Sequence, residues 1–138
     1  MEPFLKGMVI ILTIKEIYEE ALYLAEKTDD STGYLDDEYR SHHREKGERL
    51  IKHAIRYFIH LEGKANIDPS FYEEDDPVPL DNYILKNIIP CFVAAMLCAQ
   101  DSENDKYNLL IYEYQTLLNN YKNYEEAPDL SEALEGMC

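Results

Sequence analysis

Basic residues are scarce in this chain of 138 residues, where 13 lysines and arginines stand against 28 aspartates and glutamates, a formal net charge of −15. An acidic surface repels phosphate backbones and anionic lipid headgroups. The charge balance therefore excludes a nucleic-acid or membrane-surface site that relies on bulk positive charge. We expect no specific nucleic-acid binding and no membrane partner.

Long apolar runs are also missing. The apolar run at residues 8–12 is too short for the apolar core of a signal peptide. The apolar stretch at residues 88–99 contains Pro90 and is shorter than the roughly twenty residues that are needed to span a bilayer. Cysteine is rare and odd in number, and two of the three, Cys91 and Cys98, lie inside a helical pattern. We expect reduced, buried thiols in a cytosolic protein rather than a disulfide framework.

No alternating apolar and polar run is long enough to indicate a sheet, whereas four segments repeat apolar residues at helical intervals. They predict helices over residues 14–27, 37–62, 80–100 and 103–122, packed antiparallel in an all-α, single-domain bundle. Residues 1–122 would form this domain, with a long acidic loop at residues 63–79. Residues 123–138 would form a loose acidic C-terminal tail.

Local signals support these helices. Thr13 and Glu16 have the spacing of a capping box, and Gly63 is placed to end the second helix. The third helix is apolar almost all round, which predicts a position in the centre of the bundle. Pro90 lies inside it and has no N–H for the carbonyl of Lys86, so we expect a kink there. The second helix has a predicted buried stripe of His43, Gly47, Leu50, Ile51, Ala54, Phe58 and Leu61.

The chain has no glycine-rich phosphate loop and no serine or cysteine in a nucleophile motif, so we predict no enzyme, no catalytic residues and no cofactor. The segment around Gly33 resembles a calcium-binding loop, but Thr28 and Tyr39 occupy its first and twelfth ligand positions, where carboxylates are needed. A capped turn is the better interpretation. Among the histidines, His53 is flanked by two arginines that would repel a cation, so no metal site is predicted.

The basic residues are concentrated in one window. Seven of the thirteen lie in residues 40–64, against three glutamates, so this window is +4 and the rest of the chain is −19. Arg49, Lys52 and Arg56 share the helix face opposite the apolar stripe, with Lys46 beside them. Such a face is often simply solvated, but here a second copy of the acidic chain offers a complement, and heterologous contacts that close produce rings. The predicted interface pairs Lys46, Arg49, Lys52 and Arg56 with Glu16, Glu19 and Glu20 of the first helix and Glu73, Glu74, Asp75 and Asp76 of the long loop.

The order of segments resembles a known family. A helix that opens "TIKEIYEEAL" is followed by an acidic glycine turn and the long helix "YRSHHREKGERLIKHAIRYF", then by a loop, "PLDNYILKNIIPCFVAAMLCAQDSENDKYNLLIYEYQTLL" and an acidic tail. This pattern is similar to the small head-to-tail connector (head-completion adaptor) proteins of tailed bacteriophages that infect Gram-positive bacteria. The resemblance covers about residues 11–122 and is most specific at residues 79–118. The extension "MEPFLKG", the histidine-rich long helix and the cysteines of the proline helix depart from the family.

The resemblance implies a helical virion protein, made in the bacterial host cytoplasm, that forms a ring between the portal and the tail and continues the DNA channel. Its partners would be other copies of the chain, the portal and the tail-completion proteins. Two other functions stay open from the residues themselves. One is an acidic regulatory or inhibitor module that mimics nucleic acid on a basic protein partner, and the other is a helical bundle with a ligand pocket.

Overall fold

The structure, a computed structural model, describes residues 12–63 and 73–126, with side chains up to residue 123. Within these residues there is no β-strand, which confirms the all-α prediction. None of the described helices is long and apolar enough to cross a membrane. The helices are α1 (Ile14–Leu24), α2 (Asp37–His42), α3 (Arg44–Leu61), α4 (Ile89–Gln100) and α5 (Asn104–Glu126), and a π-helical turn (Ile84–Ile88) leads directly into α4.

Helix α4 lies at the centre of the bundle, as its sequence predicted, and packs against α1, α3 and α5. Contacts at both ends give the directions of the helices. Lys27, after α1, bonds to Glu103 before α5, while Phe58 near the end of α3 packs against Tyr121 near the end of α5. Successive long helices are therefore antiparallel. The buried residues of α4 are Ile89, Pro90, Cys91, Val93, Ala94, Ala95, Leu97 and Cys98.

The kink predicted near Pro90 stays a prediction, and what the structure shows beside this residue is the π-helical turn (Ile84–Ile88). The N–H of Ile89 donates to the carbonyl of Ile84, five residues earlier, instead of to the residue four earlier. Pro90 is the second residue of α4, and because it has no N–H it cannot donate to a carbonyl of the preceding π-helical turn.

The predicted helix over residues 37–62 is wrong in one respect, because it breaks at His43 into α2 and α3. A continuous helix would direct the carbonyl of Arg40 to the N–H of Arg44, but this carbonyl accepts a hydrogen bond from the hydroxyl of Tyr18, at 2.8 Å. The His43 ring stacks on Tyr39 with 3.9 Å between ring centroids. A contact from α1 thus competes with the helical hydrogen bond.

The buried stripe of this region is also narrower than predicted. His43 and Leu50 are half-buried, and Leu61 is 46% exposed. Ile55 and Ile59, which the prediction left out, are fully buried in their place. The core-facing side of α3 is therefore the side that carries Ile55 and Ile59, and the described residues only partly cover the flank that carries Leu50 and Leu61.

Some helix ends lie where the sequence predicted them and others do not. Thr13 and Glu16 form the capping box, with the Glu16 N–H 3.2 Å from Thr13 Oγ1 and the Thr13 N–H 3.0 Å from Glu16 Oε1. Gly63 follows α3 with a φ of +75°, which glycine adopts at no steric cost. Helix α1 ends at Leu24 rather than at residue 27, and α5 continues to Glu126 rather than to residue 122. Residues 64–72 of the predicted long loop and residues 127–138 of the predicted tail lie outside the described residues.

Candidate functional site

The predicted basic face lies on the solvent side of α3. Arg49 and Arg56 are exposed, Lys46 and Lys52 are half-buried, and the opposite side of the helix packs into the core. Among the described side chains, no carboxylate lies within 4.0 Å of Lys46, Arg49 or Lys52. Within the described part of the chain, these three cations are therefore left without an ion pair. We call Lys46, Arg49, Lys52 and Arg56 the basic face.

The acidic groups predicted on α1 are mostly engaged within the chain. The Glu16 carboxylate belongs to the capping box, and Glu19 forms an ion pair with Arg40 at 3.2 Å. Glu20 is exposed and has no cation within 4.0 Å among the described residues. Of the three candidates on this helix, Glu20 is thus the one with a carboxylate left for an intermolecular contact.

The acidic segment at residues 73–76 is held against the start of α1. The backbone N–H of Lys15 donates to the carbonyl of Glu74 at 2.9 Å, and Asp76 accepts from the N–H of Glu73 at 2.7 Å. The Glu74 carboxylate lies 3.7 Å from Arg44. Glu73 and Asp75 are exposed. The structure therefore brings Glu19 of α1 and Glu74 of the loop together beside Arg40 and Arg44.

The basic window is thus divided between two roles. Arg40 and Arg44, at its start, form ion pairs within the chain, while Lys46, Arg49 and Lys52 have no carboxylate within 4.0 Å among the described side chains. Beside Arg44, burial and, next, the negative charge of Glu74 raise the pKa of Glu48, and the positive charge of Arg44 opposes this shift. Sequence reasoning assigned the charges to one helix but did not separate these two groups.

A polar pocket of about 260 Å³ lies where α1, α2, α3 and the acidic segment meet. It contains as many cationic as carboxylate side chains, and its arginines are already paired with glutamates. The pocket therefore offers no net charge to attract an ionic ligand. Its lining is Lys15, Tyr18, Glu19, Arg40, Ser41, Arg44, Glu48 and Glu74.

A second depression, with a cavity volume of about 130 Å³, lies between α3 and α5 and is mainly apolar. Phe92 of α4 and Tyr114 of α5 contact each other there, with 5.6 Å between ring centroids. Tyr57 is 44% exposed at its edge. We call this feature the α3–α5 groove, and its lining is His53, Ala54, Tyr57, Phe58, Phe92 and Tyr114.

Two large apolar side chains stand out on the outer side of α5. Leu109 is 73% exposed and Tyr112 is 72% exposed. They are three residues apart on a helix and so share one face. Tyr114, which lines the groove, follows Tyr112 by two residues and points about 200° away around the helix. We call Leu109 and Tyr112 the α5 knob.

Sequence reasoning missed a cluster of charged and aromatic groups at the end of the bundle where α1, α2 and α5 meet. The side chain of Lys27 is only 9% exposed, lies 2.8 Å from Asp101 and also pairs with Glu103. The Tyr39 hydroxyl donates to Asp101 at 2.6 Å, and the Lys27 ammonium lies 4.9 Å from the centre of the Tyr39 ring. These partners are far apart in sequence, so no local pattern indicates the cluster.

The cluster perturbs each of its ionizable groups. Burial alone would lower the pKa of Lys27, but its hydrogen bonds to Asp101 and Glu103 outweigh burial and leave the pKa above its ordinary value. Burial would raise the pKa of Asp101, and the hydrogen bonds from Lys27 and Tyr39 outweigh it and lower that pKa. The hydrogen bond from Lys27 also lowers the pKa of Glu103. The cluster is a mutually satisfied ion-pair network that joins three segments.

The loop that resembled a calcium site is a closed turn. Its Asp29 carboxylate accepts hydrogen bonds from the backbone N–H and the hydroxyl of Ser31, at 2.8 and 2.6 Å. Gly33 has a φ of +77°. Throughout residues 12–63 and 73–123, no group of three or more histidine, cysteine, aspartate or glutamate side chains is arranged to hold a metal ion.

Comparison with protein-family models, with curated proteins and with solved structures found no match for this chain. The candidate surfaces are therefore defined by their geometry alone: the basic face, the α3–α5 groove and the α5 knob.

Proposed function

We propose that this chain is a non-enzymatic assembly protein, a virion subunit that joins the phage head at the portal to the tail as part of a ring around the DNA channel. The observation that carries the proposal is the basic face on α3. Three of its cations have no carboxylate within 4.0 Å among the described residues, although the whole chain has a net charge of −15. A cationic face on so acidic a protein is complementary to other copies of the same protein.

Such a contact is heterologous, because the basic face of one copy meets an acidic region of the next. Heterologous contacts generate closed rings when the rotation between copies closes. The carboxylates that the fold leaves exposed and without an ion pair in the described chain, Glu20, Glu73 and Asp75, are the acidic partners we assign. Glu16, Glu19 and Glu74 contribute less because each already has a partner within the chain.

Exposed ion pairs contribute only about 0–1 kcal/mol each. Their main effects in an assembly are on association rate, register and salt sensitivity, while apolar contacts supply most of the affinity. The carboxylates that remain outside the contact would give the channel an acidic wall. An acidic wall repels the phosphate backbone and lets DNA slide without being held.

The test is the mass of the particle in solution, measured by light scattering with negative-stain electron microscopy of the same sample. We expect the unmodified chain to form rings, and the triple variant Arg49→Glu, Lys52→Glu and Arg56→Glu to remain monomeric with unchanged helical circular dichroism. The matched control reverses Lys15, Lys86 and Lys122, which changes the net charge by the same amount elsewhere on the surface. The control should still assemble.

Three results would contradict the proposal or a part of it. One is assembly of the triple variant into the same particle, which would make the basic face a solvated surface. Another is an unmodified chain that stays monomeric and binds a basic protein, which would favour the nucleic-acid mimic. Tight binding of DNA by the unmodified chain at physiological salt would contradict the acidic channel wall.

A further inference from the structure

The α5 knob and the α3–α5 groove are complementary features on opposite sides of one helix. The knob exposes more than 70% of each of its two side chains, and the groove exposes aromatic rings that the described residues leave partly uncovered. Large exposed apolar side chains grouped on one face, with polar groups around them, are typical of protein interaction sites.

We propose that the α5 knob of one copy inserts into the α3–α5 groove of the next copy. This inference rests on the proposed self-assembly and supplies the apolar contact that the charged surfaces alone do not provide. The knob side chains Leu109 and Tyr112 of one copy then pack against Tyr57, Phe92 and Tyr114 of its neighbour.

The size of the groove favours a side chain as its occupant. Its volume of about 130 Å³ is below the range of about 300–1,000 Å³ that is typical of pockets for small molecules. Its lining is mostly aromatic and includes the imidazole of His53, so a leucine or a tyrosine fits both its size and its chemistry.

The charges beside the two features are also complementary. On α5, Asp105 and Glu113 lie four residues before and after Leu109 and are both exposed on the side of the knob. On α3, the exposed His53 lines the groove, and Arg49 lies one turn before it. Insertion of the knob therefore brings acidic side chains toward the part of the basic face nearest the groove. A second copy of this chain matches the groove in both apolar shape and charge.

The geometry makes the contact directional. Because the knob and the groove-lining Tyr114 point in opposite directions from α5, a copy that uses its groove still has its knob free. Each added copy leaves one knob and one groove available until the ring closes. Neighbouring copies would then be joined in one direction around the ring.

The experiment measures the size of the assembly by sedimentation velocity over a concentration series. It compares the unmodified full chain with a knob variant, a groove variant and a control variant. The knob variant is Leu109→Ser with Tyr112→Ser, and the groove variant is Tyr57→Glu. The control is Tyr34→Ser, which removes a tyrosine that is 73% exposed on the turn between α1 and α2. We expect the knob and groove variants to weaken assembly at least about 30-fold, and the control to assemble like the unmodified chain.

Mixing gives the decisive result. The knob variant keeps an intact groove, and the groove variant keeps an intact knob, so an equimolar mixture should form a one-to-one dimer and nothing larger. If the knob variant assembles normally, or if the mixture contains only monomers, the knob does not bind the groove of a neighbour. If the groove variant assembles while the knob variant does not, the knob binds elsewhere and the proposal is also overturned.

Thermal unfolding separates loss of contact from loss of fold. The knob variant should melt like the unmodified chain because its side chains are mostly exposed. If Tyr57→Glu lowers the melting temperature, His53→Glu at the exposed rim replaces it as the groove variant. Assembly that survives the knob variant but fails on charge reversal of the basic face would overturn this inference and leave the proposed function standing. An unmodified chain that remains monomeric would overturn both.

Discussion

Replacement of Gly47 by alanine tests how closely α1 and α3 approach each other. A methyl group at this position would lie closer than 3.0 Å to two ring carbons of Tyr18. The ring has little room to move, because Tyr18 is 2% exposed and its hydroxyl is hydrogen-bonded to the carbonyl of Arg40 at 2.8 Å. Burial also raises the pKa of Tyr18 to about 12, so its hydroxyl stays protonated and can donate at neutral pH.

The expected change in stability is the balance of two opposite effects. Alanine inside a helix is favoured over glycine by about 1 kcal/mol. Overpacking of a filled site costs about 1–3 kcal/mol, and loss of the Tyr18 hydrogen bond adds about 1 kcal/mol. We therefore expect a net destabilisation of about 1–3 kcal/mol and a melting temperature lower by roughly 3–9 °C for a domain of this size.

The assay is urea unfolding at neutral pH, followed by circular dichroism. The control repeats the substitution in a Tyr18→Ala background, where the ring that would clash is absent. There Gly47→Ala should stabilise the chain by about 1 kcal/mol through helix propensity alone. If Gly47→Ala stabilises the unmodified chain by a similar amount, the close approach of α1 and α3 at Gly47 and Tyr18 is wrong.

Three further predictions concern the core and the charged cluster. Lys27→Met should lower the free energy of unfolding by about 2–3 kcal/mol at pH 7, since it leaves Asp101 and Glu103 without their main cation while both retain some exposure to solvent. The folded-state pKa values of these two carboxyls are lowered, so their stabilisation is present above about pH 4 and is lost as the pH falls through those values. The free energies of unfolding of the unmodified chain and of Lys27→Met, measured in urea, should therefore converge in acid. A constant difference between them down to pH 2 would contradict the role of the ion pairs. Ile89 is 0% exposed, so Ile89→Ala should lower the free energy of unfolding by about 2–5 kcal/mol in the same urea assay. An unchanged urea midpoint would mean that α4 is not the central helix. In a Cys138→Ser background, the thiols of Cys91 and Cys98 should react with maleimide at neutral pH only after urea unfolds the chain, because both are buried and burial raises the pKa of each. Rapid labelling of the native protein would refute their burial.

The sequence by itself determined where most of the helices lie and which of them is central. Apolar residues at helical intervals require one covered face, and the capping residues at Thr13 and Gly63 mark ends that the structure keeps. Helix α4 has almost no polar side, so neighbours must cover it on several sides, whatever their order. These properties are local and need no knowledge of the partner across the interface.

The tertiary structure alone decided which groups meet. The helix break at His43 depends on the hydroxyl of Tyr18, which reaches the carbonyl of Arg40 from another helix. Whether a cation of the basic window forms an ion pair depends on which carboxylates the fold brings near it, so Arg40 pairs within the chain and Arg49 has no carboxylate near it among the described residues. The Lys27 cluster, the groove and the knob likewise join or separate residues from different helices. The helical repeat of the sequence specifies the direction in which each side chain points from the axis of its helix. The distance from that side chain to a group on another helix is set only when the helices pack.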